Sequence, residues 1–454
     1  MEEPMAPLMV SISGIRGIVG AEFHPLLVAR WSAALADLLD AGPVVVARDS
    51  RPSGERFARV AADVLAAAGR DVWDLGVVPT PTVQVAVERW GAAGGLILTA
   101  SHNPAPWNAC KFVDRDGTFL SPERFPLLRE RVEAGTSPFV EFERWGAVGD
   151  RGRESLDLHR KLLVGAIRTE AIAEKRPRVL LDCVHGAGGT LLPDLIEALG
   201  AEVTTRHAEP TGRFPRDPEP TGPPIRELAR EAERCDCAFA LAVDPDADRC
   251  AVAVPGSEVV GEEWTLPLVA LHLLQRRSGT VVTNLSTSTR LEAAAALRGS
   301  RVERTPVGEA HVVGRMREVE AVLGGEGNGG VIDPAIHLGR DAAVAAAWLL
   351  EAHALTPGGL AELAAVLPRR YLRKGRAKGG ADAALERLRE SLEHRLGAPA
   401  DPRDGLRWAL PGGFVHVRSS ATEPILRIVT EGETEETADE RFELVRAAVE
   451  NLEE

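Results

Sequence analysis

The segment Thr99-Ala100-Ser101-His102-Asn103-Pro104 follows directly on the apolar run Leu96-Ile97-Leu98. A serine at the carboxyl end of a strand, beside a histidine and entering a turn, has the setting of a nucleophile or a phosphoryl carrier. A second group is Asp244-Pro245-Asp246-Ala247-Asp248-Arg249. Three carboxylates at alternate positions converge around a cation or else repel one another. A calcium loop would need Gly at its sixth position and Glu at its twelfth, where this chain has Arg249 and Pro255. A few hard oxygen donors suit Mg²⁺ that still coordinates phosphate. Arg418-Ser419-Ser420-Ala421-Thr422-Glu423-Pro424 combines an arginine, hydroxyls and turn N–H groups into a phosphate cradle. Gly324-Gly325-Glu326-Gly327-Asn328-Gly329-Gly330 is too glycine-rich for a helix, and sets a carboxylate and an amide on a loop suited to sugar hydroxyls. Taken singly, each segment also reads as a polar turn or a flexible loop.

These segments need a scaffold that brings strand ends together. Val44-Val45-Val46-Ala47 is a short β-branched run closed by the turn Arg48–Gly54. Phe57, Val60, Ala61, Val64, Leu65 and Ala68 then form one helical stripe, which Gly69 ends. A strand near Asp71–Val78, a helix from Thr82 and the strand before Ser101 complete the first round. The same alternation recurs at Val179–Asp182 with Leu191–Leu199, at Ala238–Val243, and at Trp264–Leu274 with Val281–Asn284. Alternating strands and helices imply α/β layers with ligand loops at the carboxyl ends of strands. Linkers are expected near Gly146–Arg153, Pro255–Gly261 and Leu367–Lys374, and the last ~85 residues form a small α+β unit.

A chain of 454 residues exceeds one hydrophobic core, so three or four domains are expected. With 44% hydrophobic and 26% charged residues it is an ordinary globular composition. The formal charge of −14 argues against nucleic acid as a partner, while leaving room for anionic small substrates in an arginine-lined cleft. Five scattered cysteines read as reduced thiols of the cytosol. Cys235-Asp236-Cys237 has no second pair at zinc spacing. The N-terminus has no signal-peptide pattern, and the longest apolar stretch, Leu266–Leu274, is too short to span a bilayer and contains His272. A cytoplasmic protein without a membrane partner is expected. None of the five lysines lies in a P-loop, and there is no His-Glu-x-x-His.

In their order along the chain these segments resemble the α-D-phosphohexomutase superfamily, which includes phosphoglucomutase, phosphomannomutase and phosphoglucosamine mutase. Ser13-Gly14-Ile15-Arg16-Gly17 is similar to that family's N-terminal motif, and Arg48–Gly54 to a second turn. Thr99–Pro104 is similar to its phosphoserine loop, Asn108-Ala109-Cys110-Lys111 to its Asn-Gly-x-Lys, Asp244–Arg249 to its magnesium loop and Arg418–Pro424 to its phosphate loop. The resemblance covers essentially the whole chain. It implies an α/β fold of four domains, three similar α/β domains and a smaller C-terminal α+β domain, around a central cleft. The expected divisions are 1–150 (phosphoserine), 151–256 (magnesium), 257–368 (sugar) and 369–454 (phosphate). It implies a mutase that interconverts hexose 1- and 6-phosphates through a phosphorylated Ser101 and a hexose 1,6-bisphosphate, which serves as both activator and intermediate. Mg²⁺ would be held by Asp244, Asp246, Asp248 and the Ser101 phosphate. Arg16, His102 and Lys111 would surround the transferring group, with His102 or Lys111 as the base. Arg249 would lie beside the metal loop, Thr305, Gly308, Glu326 and Asn328 near the sugar, and Arg418, Ser420 and Thr422 on the phosphate that does not react.

The chain departs from the family at the sugar loop, usually Gly-Glu-x-Ser-Gly-His. Asn328 stands for the serine and Gly330 for the histidine, leaving His311 or His337 to substitute. A carboxylate and an amide there lean the reading toward glucosamine phosphate, with phosphomannomutase or phosphoglucomutase activity as the alternative. Two other readings are a sugar-phosphate-binding protein without turnover and a Mg²⁺ phosphatase using an aspartyl phosphate at Asp244. Oligomeric state does not follow from the sequence.

Overall fold

The computed structural model describes residues 8–378, 382–419 and 425–453. The chain divides into two compact units, Met1–Val269 with Asn328–Leu363, and Ala270–Gly327 with Ala364–Glu454.

The first unit holds two sheets. One has seven strands in the order Met9–Ser11, Gly14–Ile18, Trp107–Asp114, Gly94–Leu98, Val44–Arg48, Val72–Val77, Val148–Asp150. Its last four are parallel, and the others join antiparallel. Side chains alternate across a strand, so the apolar runs feed two cores. Val44, Val46, Leu96 and Leu98 meet Phe57, Leu65 and Phe112 on one face, where Trp31 stacks on Phe112 at 5.5 Å. Val45, Ala47 and Ile97 meet Val83 and Val87 of the helix Thr80–Trp90 on the other. The second sheet runs Val260–Gly261, Cys250–Ala253, Phe239–Val243, Arg178–Asp182, Glu202–Arg206. Phe239–Val243 lies parallel to Arg178–Asp182 and antiparallel to Cys250–Ala253. The aspartate cluster is therefore a turn between two fully buried strands. The helix Ala342–Leu355 is largely apolar and buried along its first eleven residues, Glu351 among them.

The second unit has parallel strands Arg301–Thr305, Thr280–Asn284 and Leu323–Glu326. It also has a five-stranded antiparallel sheet ordered Tyr371–Lys378, Ile425–Gly432, Gly413–Ser419, Leu406–Leu410, Ala400–Asp401. Trp408, Ile428, Leu392 and Val445 make that sheet's core with the helices Asp382–Leu396 and Glu435–Glu453. Polar contacts tie the two parts of this unit. Ser286 Oγ lies 2.8 Å from His416 Nδ1, Thr289 donates to Glu431, and Arg407 Nε donates to the Leu285 carbonyl at 2.8 Å.

The α/β layers and the small C-terminal α+β part agree with the expectation from the alternating pattern. The supposed linkers differ: Val148–Asp150 is an edge strand beside Val72–Asp74, Val260–Gly261 pairs with Val252–Ala253, and Tyr371–Lys374 begins a long strand. The two short strands, Val148–Asp150 and Val260–Gly261, are specified by their partners rather than by their own residues. Among the described residues no helix is long and apolar enough to cross a membrane.

Candidate active site

Ser101 sits one turn beyond the strand Gly94–Leu98, at a positive φ of 48°. Backbone there is strained for a residue with a side chain, and persists only where surroundings hold it. Arg51 does that holding. Its fully buried guanidinium donates to the carbonyls of Ser101 (2.7 Å), Asn103 (2.6 Å), Pro104 (2.8 Å) and Trp107 (3.1 Å), while its Nε donates to Asp49 Oδ2 at 2.9 Å. Asp49 also accepts from Thr99 Oγ1 at 2.7 Å, and Thr99 Oγ1 in turn accepts from the Ser101 N–H at 3.0 Å. This single network aims Ser101 Oγ at Asp244, to whose Oδ2 it donates at 2.9 Å. His102 Nδ1 is 3.4 Å from the same hydroxyl. Arg16 donates to Asn103 Oδ1 at 3.1 Å.

The aspartate turn is equally fixed. Asp244 Oδ1 accepts from the N–H groups of Asp248 and Arg249, each at 3.1 Å. Thr80, at the start of its helix, donates its N–H to the Asp246 carbonyl and its hydroxyl to Asp246 Oδ2, both at 2.9 Å. Lys111 Nζ lies 2.8 Å from Asp246 Oδ2 and 3.8 Å from Asp248 Oδ2. Arg340 donates to Asp248 Oδ2 at 2.6 Å. Arg249 donates to Glu219 at 2.8 Å and lies 3.6 Å from Asp248 Oδ1. Asp244, Asp246 and Asp248 each offer one oxygen within 4.8 Å of the others, and all three are buried.

Burial and the neighbouring Asp248 and Asp246 carboxylates push the Asp244 carboxyl well above its usual range. Burial would raise Asp246 too, but Lys111 outweighs it and holds that carboxyl low. Two oxygens, Asp246 Oδ1 and Asp248 Oδ1, are buried without a hydrogen-bond partner. Orphaned buried carboxylate oxygens are costly unless a cation meets them. The donor set, all hard oxygens and few in number, fits Mg²⁺.

Charge separates the two groups expected to act as base. Burial would lower the Lys111 ammonium, but Asp246 and Asp248 turn the net shift upward, so it stays charged. Burial, then Arg249 and Arg16, hold the His102 imidazole well below its ordinary value, leaving it neutral and able to accept a proton.

Of the expected site residues, Ser101, His102, Arg16, Lys111, Asp244, Asp246, Asp248, Arg249 and Asn328 belong to the first unit. Asn328 Oδ1 accepts from the Gly330 N–H at 3.1 Å. In the second unit, buried Glu326 takes hydrogen bonds on Oε1 from Asn284 Nδ2 (2.7 Å) and the Gly308 N–H (3.1 Å). Thr305 Oγ1 donates to the Pro306 carbonyl at 2.9 Å. Arg418 is on the strand Gly413–Ser419, lowered by burial against the opposing pull of Asp404 and Glu326. Ser420 and Thr422 lie outside the described residues. His337 Nε2 is 3.1 Å from Asp341 Oδ2, in a buried cluster with His159. His311 lies beside Gly308 in the second unit. Sequence reasoning missed Asp49, Arg51, Thr80 and Arg340. The turn Arg48–Gly54 carried the only signal for the first two.

A serine held against a buried carboxylate turn, with cations around it, on stacked α/β layers gives the class, and sequence comparison gives the family. Residues 9–138, 159–257 and 262–371 match the phosphoglucomutase/phosphomannomutase α/β/α domains I, II and III in that order. The chain belongs to the phosphoglucomutase/phosphomannomutase family of the α-D-phosphohexomutase superfamily, isomerases that act as intramolecular phosphotransferases. It is 34% identical over 441 residues to a phosphoglucomutase/phosphomannomutase of Thermococcus kodakarensis, covering 95% of this chain and 96% of that one. It is 33% identical over 450 residues to a "probable phosphoglucosamine mutase" of Methanopyrus kandleri, covering 97% and 98%. A phosphoglucomutase/phosphomannomutase family protein from Burkholderia thailandensis superposes with a TM-score of 0.83 at 25% identity, covering 98% of each chain.

Proposed function

We propose that Ser101 is the phosphoryl carrier of this phosphohexomutase and that glucosamine phosphate is a good substrate. The observation that carries the assignment is the Ser101 hydroxyl, 2.9 Å from Asp244 in a carboxylate turn with two orphaned buried oxygens.

Asp244, Asp246 and Asp248 would hold Mg²⁺ together with a Ser101 phosphate. When bound, the ion supplies Lewis-acid stabilisation of the dispersed charge on a phosphoryl group in flight. Lys111, Arg16 and Arg249 add fixed positive charge around that group, already desolvated and held by carboxylates or an amide. In the first transfer the sugar hydroxyl attacks the Ser101 phosphate, its proton passes to His102, and the P–O bond to Ser101 breaks. The product is a hexose 1,6-bisphosphate. In the second transfer Ser101 Oγ attacks the other phosphate, the P–O bond to the sugar breaks, the sugar oxygen takes back the proton from His102, and the isomeric monophosphate leaves.

Glu326, Asn328, Thr305 and Gly308 are assigned to the sugar, and Arg418, Ser420 and Thr422 to the phosphate that does not react. The lean toward glucosamine rests on Glu326. Its carboxylate can give an ammonium at C2 a charge-assisted hydrogen bond, worth roughly 1.5–3 kcal/mol. That corresponds to about tenfold to a hundredfold in specificity, so glucose and mannose phosphates are expected to turn over as well. The test is kcat/KM for glucosamine, glucose and mannose 1-phosphates, each primed with catalytic glucose 1,6-bisphosphate. Isomerisation with glucosamine favoured supports the reading. More than tenfold preference for glucose or mannose overturns the lean, and phosphate release without isomerisation overturns the carrier assignment.

A further inference from the structure

Gly330 occupies the position where the family's sugar loop usually ends in histidine. A Cβ built on Gly330 would stand 2.3 Å from Arg340 Cδ and 2.8 Å from its Cγ. No side chain fits there while Arg340 keeps its path. The glycine is therefore the counterpart of a particular arginine rather than a plain loss. That arginine ends on the metal loop, its Nη2 donating to Asp248 Oδ2 at 2.6 Å, with both side chains buried.

We propose that Arg340 is a positioning residue of the phosphoryl-transfer site, filling the space of the absent histidine and fixing the Asp248 carboxylate with a permanent positive charge. The proposal rests on the phosphohexomutase reading of the site and adds a residue to it. A hydrogen bond on one carboxylate oxygen sets the direction of the other. With Arg340 on Oδ2, and Lys111 3.8 Å from the same atom, Asp248 presents Oδ1, which has no hydrogen-bond partner and lies 3.6 Å from Arg249 Nε.

The base of the Arg340 side chain is itself immobilised. The next residue, Asp341, donates its N–H to the Val331 carbonyl at 2.9 Å, and its Oδ1 caps the helix Ala342–Leu355 through the Ala343 N–H at 2.7 Å. Asp341 Oδ2 meets His159 Nε2 at 2.8 Å and His337 Nε2 at 3.1 Å, all three buried. The facing loop is also docked, the Gly329 carbonyl accepting from the Cys250 N–H at 3.0 Å. Arg340 is felt as a charge by Arg16, His102, Lys111 and Arg249, as expected of a guanidinium facing the same space. A histidine there would titrate near neutrality, whereas arginine keeps its charge at any working pH.

The test uses the full chain and four variants: Arg340→Ala, Arg340→Lys, Gly330→His, and Gly330→His combined with Arg340→Ala. Parent turnover checks the mutase reading, and only ratios to the parent bear on Arg340. Loss of one preorganised charge should lower kcat of Arg340→Ala by roughly 10²–10³-fold, with KM for the sugar phosphate moving less than about tenfold. Arg340→Lys should recover most of that loss. Guanidinium ion added in solution should partly restore kcat to Arg340→Ala and not raise the parent's, a response that a purely structural arginine would not give. Thermal unfolding reads the steric claim without activity: Gly330→His should lower the melting temperature of the parent by several degrees, and much less when Arg340 is alanine. A kcat for Arg340→Ala within about twofold of the parent would overturn the positioning role. An equal thermal cost of Gly330→His in both backgrounds would overturn the exchange of space.

Discussion

His102 and Lys111 begin as equivalent candidates for the base and are separated by their neighbours. Lys111 is bound to Asp246 and kept charged, whereas His102 faces Arg249 and Arg16 and is kept neutral. His102→Ala should therefore lose roughly 10²–10⁴-fold in kcat with Mg²⁺ binding retained, measured by steady-state kinetics and by calorimetric titration. Equal loss of metal binding would point to a structural role instead. Asp246→Asn removes one charge from the carboxylate turn while Thr80 and Lys111 can still reach it. Mg²⁺ affinity should fall by about tenfold or more while thermal stability in chelator stays close to the parent's. In the parent, excess chelator should abolish turnover and added Mg²⁺ should restore it. Ser101, the three aspartates and Lys111 were legible because their types and order make motifs. Arg340 was not, being one of forty-eight arginines with no motif around it, and only the Cβ direction of Gly330 reveals the pairing.

At the scale of elements, the chemistry depends on two turns that other parts of the chain hold in place. Arg51 donates to four carbonyls of the serine turn and pairs with buried Asp49. Arg51→Ala would leave the buried Asp49 carboxylate without its ion-pair partner and several carbonyls unmet, at a cost of about 3–5 kcal/mol, and would release Ser101 from its positive φ. Denaturant unfolding should register the first effect. Arg51→Lys should recover stability only in part, because an ammonium cannot make the same fork. In the second unit, His416 on the strand Gly413–Ser419 bonds Ser286 and the Asp404 carbonyl, and burial lowers its pKa to about 4. The unfolded chain binds that proton nearer pH 6.5, so His416's share of stability is complete above pH 6.5 and is lost as pH falls toward 4. The loss is on the order of 1–3 kcal/mol. Unfolding measured between pH 7 and 4 should show a shallower acid slope in His416→Gln, and an unchanged slope would refute that account. The helices Leu191–Leu199 and Trp264–Leu274 and the strands Ala238–Val243 and Val281–Asn284, read from their apolar patterns, fall within a residue of their observed bounds, whereas helices such as Pro25–Leu38 and Ala342–Leu355 were not read. Val148–Asp150 was read as linker because three residues carry no pattern, and its place comes from its pairing with Val72–Asp74. The helix Thr80–Trp90 starts two residues earlier than its apolar pattern suggests, because Thr80 finds its backbone partner in Asp246, far along the chain.

For the whole molecule, alternating strands and helices gave the α/β class, and six motifs in order gave the family, which the comparisons bear out across nearly the full chain. The contacts that assemble the site were not legible in that way, since Ser101 meets Asp244, and Thr80 meets Asp246, only once two sheets have packed. Every step proposed for the site depends on Ser101 as the carrier. The measurement that tests it most directly is intact mass of the parent and of Ser101→Ala after exposure to glucose 1,6-bisphosphate, read beside turnover of glucosamine 1-phosphate. The parent should carry one covalent phosphate and Ser101→Ala none, with turnover reduced by several orders of magnitude in the variant. A Ser101→Ala protein that still takes up phosphate, or that isomerises at the parent's rate, would contradict it.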